Sequence, residues 1–205
     1  MASVTAKTSV EMWFDPICPW AWLTSRWLME VEQVRDVEVT WSVMSLAVLN
    51  GGRELPPEYH DLMERSWGPV RVIVAAAREH GPTVIKPLFD AMGTRIHLGG
   101  EGDYLVVIAA ALNEVGLPAD LLRFATSSDV DDEVRASHDR AIALVGEEVG
   151  TPVIAMGASA FFGPVVTPAP KGEAAGRLWD GWVLMTGTPG FFELKRTRAQ
   201  SPVFD

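Results

Sequence analysis

Before Met44 the hydrophobic period of this chain changes from that of a strand to that of a helix and back again. Val10, Met12 and Phe14 alternate with Glu11 and Trp13, a period-two run that reads as a strand stopping at Asp15-Pro16. Behind Pro19, which suits a first helical turn, Leu23, Trp27, Leu28, Val31 and Val34 recur at helical spacing on one face. Asp36 closes that helix, and Val37, Val39, Trp41 and Val43 alternate with Glu38, Thr40 and Ser42 as a second strand. Strand, helix and strand in so short a stretch require a right-handed crossover and a parallel pair. The helix then starts at the carboxyl end of the first strand, the edge of an open α/β sheet where ligands bind.

After this unit the pattern turns helical. Pro57 to Trp67, Pro69 to His80, Ile85 to Ile96, Tyr104 to Val115, Ala119 to Ala125 and Val130 to Val149 read as helices divided by Gly and Pro. Leu105, Ile108, Ala109 and Leu112 form the clearest apolar stripe and are expected in the core. Strand pattern resumes at Pro152 to Met156, turns at Gly157-Ala158 and returns through Ala160 to Phe162, as in a hairpin. Lys171 to Met185 closes the chain as a helix with Leu178, Trp179, Trp182 and Met185 on one side. The sheet is therefore split by sequence. Residues 1–49 and 150–205 supply it, and residues 50–149 form an all-helical insertion between the second and third strands.

Charge and cysteine content narrow the function. The 205 residues hold 17 Lys and Arg against 27 Asp and Glu, net charge −10, with no block of like charge, which argues against nucleic acid. Met1 to Val10 is polar, unlike a secretory leader, and no apolar run approaches a membrane span, so the cytoplasm is the expected location. With one cysteine, an internal disulfide and a thiolate zinc cluster are both excluded within one chain. No His and acidic spacing argues for a metal site, and His60, His80 and His138 are expected to be solvated.

That cysteine, Cys18, lies in Asp15-Pro16-Ile17-Cys18-Pro19-Trp20-Ala21-Trp22, at the predicted helix start. There it would face unpaired backbone N–H groups and the positive end of the helix dipole, which favour thiolate and bring such thiols to pKa values of about 3.5 to 7.5. A lone Cys is otherwise a small buried hydrophobe. The strand, proline and helix context favours the reactive reading.

The strand ending in Phe14, the Cys18-Pro19-Trp20-Ala21 element, the helical insertion and Gly150-Thr151-Pro152 together resemble the DsbA-like branch of the thioredoxin superfamily. The resemblance is closest to the actinobacterial mycothiol-dependent nitroreductases. Trp13-Phe14-Asp15-Pro16, Val43-Met44-Ser45-Leu46, Trp67-Gly68-Pro69-Val70, Phe161-Phe162-Gly163-Pro164 and Phe191 to Arg198 extend it over nearly the whole chain.

The resemblance implies an α/β thioredoxin-like fold with the insertion as a lid, and Cys18 as attacking thiolate. It implies no bound cofactor, with mycothiol or a similar low-molecular-weight thiol as co-substrate, and a small aromatic or disulfide substrate; a homodimer is compatible with it. The family usually has Cys-Pro-Trp-Cys here. Ala21 stands at the resolving position, so the chain runs a monothiol cycle or has an impaired one. Thr151-Pro152 resembles the superfamily's cis-proline loop, and Trp20 is expected to lie partly exposed over Cys18. Asn50 and Tyr59 match positions of substrate contact, with turn residue and helix surface as the plainer alternatives. His97 reads as a helix-end histidine compensating the dipole, or else as an acid or thiolate partner. Two further readings stand beside this one: a glutathione-transferase-kappa or isomerase-like enzyme that activates a bound thiol, and a non-catalytic binding protein.

Overall fold

The computed structural model describes residues 7–204. Met1–Ala6, part of the polar amino terminus read above, and Asp205 lie outside the described residues. Strand β1 (Thr8–Phe14), helix α1 (Pro19–Val34) and strand β2 (Val37–Val43) form the expected crossover, with β1 and β2 parallel from Thr8 opposite Val37 to Phe14 opposite Val43. Strands β3 (Val153–Met156) and β4 (Ser159–Phe162) make the hairpin, and β3 pairs antiparallel with β1. The resulting sheet order, β2-β1-β3-β4, is that of the thioredoxin-like fold.

The pleat of β1 divides the core. Val10, Met12 and Phe14 join one large buried cluster with Trp27 and Leu28 of α1 and with Trp179 and Trp182 of the closing helix α7 (Gly172–Thr186). Trp13 points the other way and packs with Val153 and with Ala141 of helix α6 (Asp131–Val145). Trp13, Trp22, Trp27, Trp41, Trp179 and Trp182 are all buried, as their periodic placement predicts.

Between β2 and β3 lie the short helix α2 (Leu46–Leu49), α3 (Pro57–His80), α4 (Ile85–Gly93), α5 (Tyr104–Val115), a 3₁₀ segment Ala119–Thr126, and α6. Phe89 of α4 stacks on Phe14 of β1 with ring centroids 3.8 Å apart. Burying that ring stabilises the fold by about 3 kcal/mol and anchors the helical block to the sheet.

Several local expectations change. The two helices expected on either side of Pro69 are one, α3, with Pro69 inside it. Proline removes one intrahelical bond, but Gly68, Pro69 and Val70 are all buried, and a Cβ on Gly68 would sit only 3.5 Å from Ile108 and Ala125. Tertiary packing outweighs the local cost. The four-residue helix α2 was not expected; Ser45 caps it by accepting from the Val48 N–H at 3.3 Å. Helix α6 stops at Val145, where Gly146 takes a φ of 82°. On α5 the buried face is Val107, Ile108, Ala111 and Leu112, while Leu105 and Ala109 are exposed. The apolar composition of α5 all round blurs which stripe faces inward. His138, expected to be solvated, is buried because it shares a face of α6 with Val134 and Ala141; burial lowers its pKa, and its Nδ1 has no partner.

Candidate active site at the start of the first helix

Cys18 is the N-cap of α1. Its backbone N–H donates to the Asp15 carbonyl at 3.0 Å, closing a turn that carries the chain from β1 into the helix. Its Sγ accepts from the Ala21 N–H at 3.5 Å, one of the orphan donors of the first turn. The thiol donates to the Thr151 carbonyl at 3.3 Å. The Thr151–Pro152 peptide is cis, and Thr151 is buried with its Oγ1 lacking a partner in the resting site. Cys18, Ala21, Thr151 and Pro152 are thus brought together, although more than a hundred residues separate the two halves.

The electrostatics differ from the sequence expectation. Cys18 occupies the helix start, but it is only 5% exposed, and burial pushes its thiol above the ordinary range. The Ala21 N–H, which donates to the sulfur, opposes this shift without overcoming it, and the Asp15 charge adds to it. Desolvation wins because thiolate loses more from leaving water than a weak hydrogen bond to sulfur returns.

Asp15 sits beneath the turn, fully buried. Its Oδ1 accepts from the Ile17 N–H at 3.1 Å and its Oδ2 from the Leu46 N–H at 2.7 Å, tying the motif to α2. Burial lifts its carboxyl to about 7, against the pull of those two donors. Tyr104, at the start of α5, is held up by burial, with the Asp15 charge adding to the shift and Arg65 opposing it. Neither residue was singled out from the sequence. The available signal was an acid between a buried strand and a proline, three residues ahead of the only thiol.

His97 lies on a π turn (Thr94–Leu98), its Nε2 2.9 Å from the Pro16 carbonyl and its ring between those of Trp22 and Phe204. Burial lowers its pKa to about 4, so it is neutral at pH 7 and does not compensate a dipole by charge. It pins the loop before Cys18. Trp20 is half-buried, with the Arg198 guanidinium 5.3 Å from its ring centroid. Asn50 caps α2 through Nδ2 to the Leu46 carbonyl at 2.8 Å and lies 3.7 Å from the Met63 sulfur; Met63 in turn packs with Ile17. Tyr59 is 49% exposed in the first turn of α3, and no side-chain hydrogen bond or ring contact joins it to the motif among the described residues.

His60, Asp61 and Glu64, all exposed on α3, bring ligand atoms within 4.8 Å of one another, a grouping the spacing alone did not suggest. A cleft of about 160 Å³ runs beside α1 between Trp22, Arg26, Lys171 and Phe204 and does not include Cys18. No helix is long and apolar enough to cross a membrane among the described residues.

Comparison with known proteins gives this site a lineage. The chain is 32% identical over 203 residues to the uncharacterized protein Rv2286c of Mycobacterium tuberculosis, covering 96% of this chain and 85% of that one. The probable DsbA oxidoreductase SCO1869 of Streptomyces coelicolor shares the fold, with a TM-score of 0.59, 20% identity and 95% of each chain covered. So does the cytosolic disulfide reductase DsbM of Pseudomonas aeruginosa, solved with GSH, with a TM-score of 0.53, 15% identity and 86% and 99% covered. The Rv2466c-like family, described as mycothiol-dependent nitroreductase Rv2466c, matches residues 17–196, a span that runs from the residue before Cys18 through Thr151 and Pro152, and it is to this family that the chain belongs.

Proposed function

We propose that the protein is a cytoplasmic thiol-dependent oxidoreductase in which Cys18 forms a mixed disulfide with mycothiol or a similar low-molecular-weight thiol. The observation that carries this reading is the Cys18 thiol set between the Ala21 N–H and the Thr151 carbonyl at a helix start. Family membership and the fold shared with a disulfide reductase solved with GSH support it.

Chemistry begins with loss of the thiol proton. Asp15, with a carboxyl near 7, is the adjacent group able to take a proton at neutral pH. The thiolate then keeps the Ala21 N–H, and the Thr151 hydroxyl, without a partner in the resting site, is free to donate to it. Attack on a disulfide RSSR forms Cys18–S–SR and expels RS⁻. Because Ala21 supplies no second thiol, a second external thiol R′SH must attack the mixed disulfide, regenerating Cys18 and releasing RSSR′, a net exchange of RSSR and R′SH for RSSR′ and RSH. With a small nitroaromatic as oxidant, two external thiols provide two electrons and two protons and become one disulfide, while the nitro group becomes nitroso and its oxygen leaves as water.

The test is thiol consumption in the presence of a nitroaromatic, compared with Cys18→Ser. Abolition in the variant supports the cycle, and equal rates remove Cys18 from it. The burial of Cys18 and its raised pKa favour a second reading, in which the motif activates a bound thiol and no protein thiol cycles. Isomerase or transferase activity surviving Cys18→Ser would select that reading.

A further inference from the structure

The segment after α7, Phe191–Phe204, has no helix or strand, yet it is fastened along its length. Phe191 meets Phe161 of β4 with centroids 5.6 Å apart. Arg198 lies over Trp20, two residues beyond Cys18. The Val203 N–H donates to the Thr167 hydroxyl at 2.7 Å, and the Phe204 ring packs 5.6 Å from that of His97. The chain end therefore crosses the Cys18 motif as a strap.

Its charge is unlike that of the rest of the protein. The chain carries a net charge of −10, and Arg26, Arg35, Arg71 and Arg95 are each paired with a carboxylate. The strap holds Lys195, Arg196 and Arg198 against the single acid Glu193, all of them exposed, and none of the three cations has a carboxylate partner among the described residues. A solvated tail would account for their exposure. It would not account for the guanidinium held over the indole beside the candidate nucleophile.

We propose that this strap is a recognition element for an anionic group on the substrate, and that the site takes small aromatic molecules or aryl disulfides bearing a carboxylate. Resting on the reading of Cys18 as the reacting thiol, the assignment goes further by naming the charge class of the substrate. Clustered cations raise the local concentration of an anion, the guanidinium fork matches a carboxylate, and the exposed part of Trp20 offers a flat face to an aromatic ring.

Two aryl disulfides of similar reactivity separate the possibilities: dithiobis-nitrobenzoate, with one carboxylate per ring, and neutral dithiodipyridine. In each reaction the Cys18 thiolate forms a new S–S bond with one aryl sulfur while the other leaves as a coloured thiolate or thione. The ratio of the two rate constants should fall by about tenfold or more in K195Q/R196Q/R198Q and with added salt. It should hold in K7Q/R123Q/R177Q, which removes three exposed cations elsewhere and has the same net charge. An unchanged ratio in the strap variant, or an equal fall in the control, would overturn the proposal. Binding is read separately in Cys18→Ser by calorimetric titration with nitrobenzoate and nitrobenzamide. Preference for the carboxylate that disappears on strap neutralisation supports the proposal even if Cys18 proves unreactive, and no preference overturns it.

Discussion

Asp15→Asn should abolish the fall of stability with pH that Asp15 causes and ease ionisation of Cys18. The carboxyl ordinarily titrates at 3.8 and is lifted by burial to about 7. Between these values the unfolded chain has released a proton that the folded chain still holds, so folding stability falls as pH rises. The loss starts near pH 4 and is complete above pH 7, amounting to about 4 kcal/mol. Asparagine carries no proton to lose, so this slope disappears. Its amide oxygen can still accept from either the Ile17 or the Leu46 N–H, but its NH₂ then faces the other donor, leaving a buried N–H unsatisfied at a cost of about 1–3 kcal/mol. The variant should therefore be less stable than the native chain at about pH 4 and more stable at about pH 8, each by about 1–3 kcal/mol. Urea denaturation at a series of pH values measures this directly. Removing the Asp15 charge also removes one cause of the raised Cys18 thiol, so the midpoint of the pH–rate profile for iodoacetamide alkylation should move down. Parallel stability curves for the two proteins, together with an unmoved alkylation midpoint, would refute the account of Asp15.

Ala21→Cys places a second thiol where the Ala21 N–H now meets the Cys18 sulfur at 3.5 Å. Under oxidation the variant should lose two hydrogens by mass and cease to accumulate a mixed disulfide with added thiol; persistence of the adduct would show that position 21 does not reach the sulfur. Gly93→Ala tests the seam between α4 and α1, because a Cβ there would lie 2.3 Å from the Trp22 ring. Displacing a buried indole should lower stability by about 1–3 kcal/mol in denaturant titration, and no change would mean that Trp22 moves freely.

Much of this architecture could be read from periodicity. The strand–helix–strand unit, the later hairpin and the buried tryptophans follow from patterns that hydrophobic burial imposes directly, and Cys18 at the helix start follows from them. What escaped had non-local causes. Pro69 reads as a break, and only the burial of Gly68, Pro69 and Val70, with Gly68 close against α5 and the 3₁₀ segment, shows why the helix continues. His138 looks solvated in an acidic and basic stretch, yet it is turned inward by its neighbours on α6. The N–H donors of the helix start favour thiolate, but the depth of burial, which sequence does not specify, outweighs them. Asp15 was visible as a strand terminator, but its role beneath the sulfur depends on the Leu46 N–H arriving from α2.

The cycle proposed for this site requires Cys18 to be the reacting group. Intact-protein and peptide mass spectrometry after incubation with oxidised mycothiol measures it most directly. One adduct is expected, located on Cys18 and released by a second equivalent of thiol with recovery of the unmodified chain. A Cys18 that stays unmodified while catalysis proceeds would contradict it.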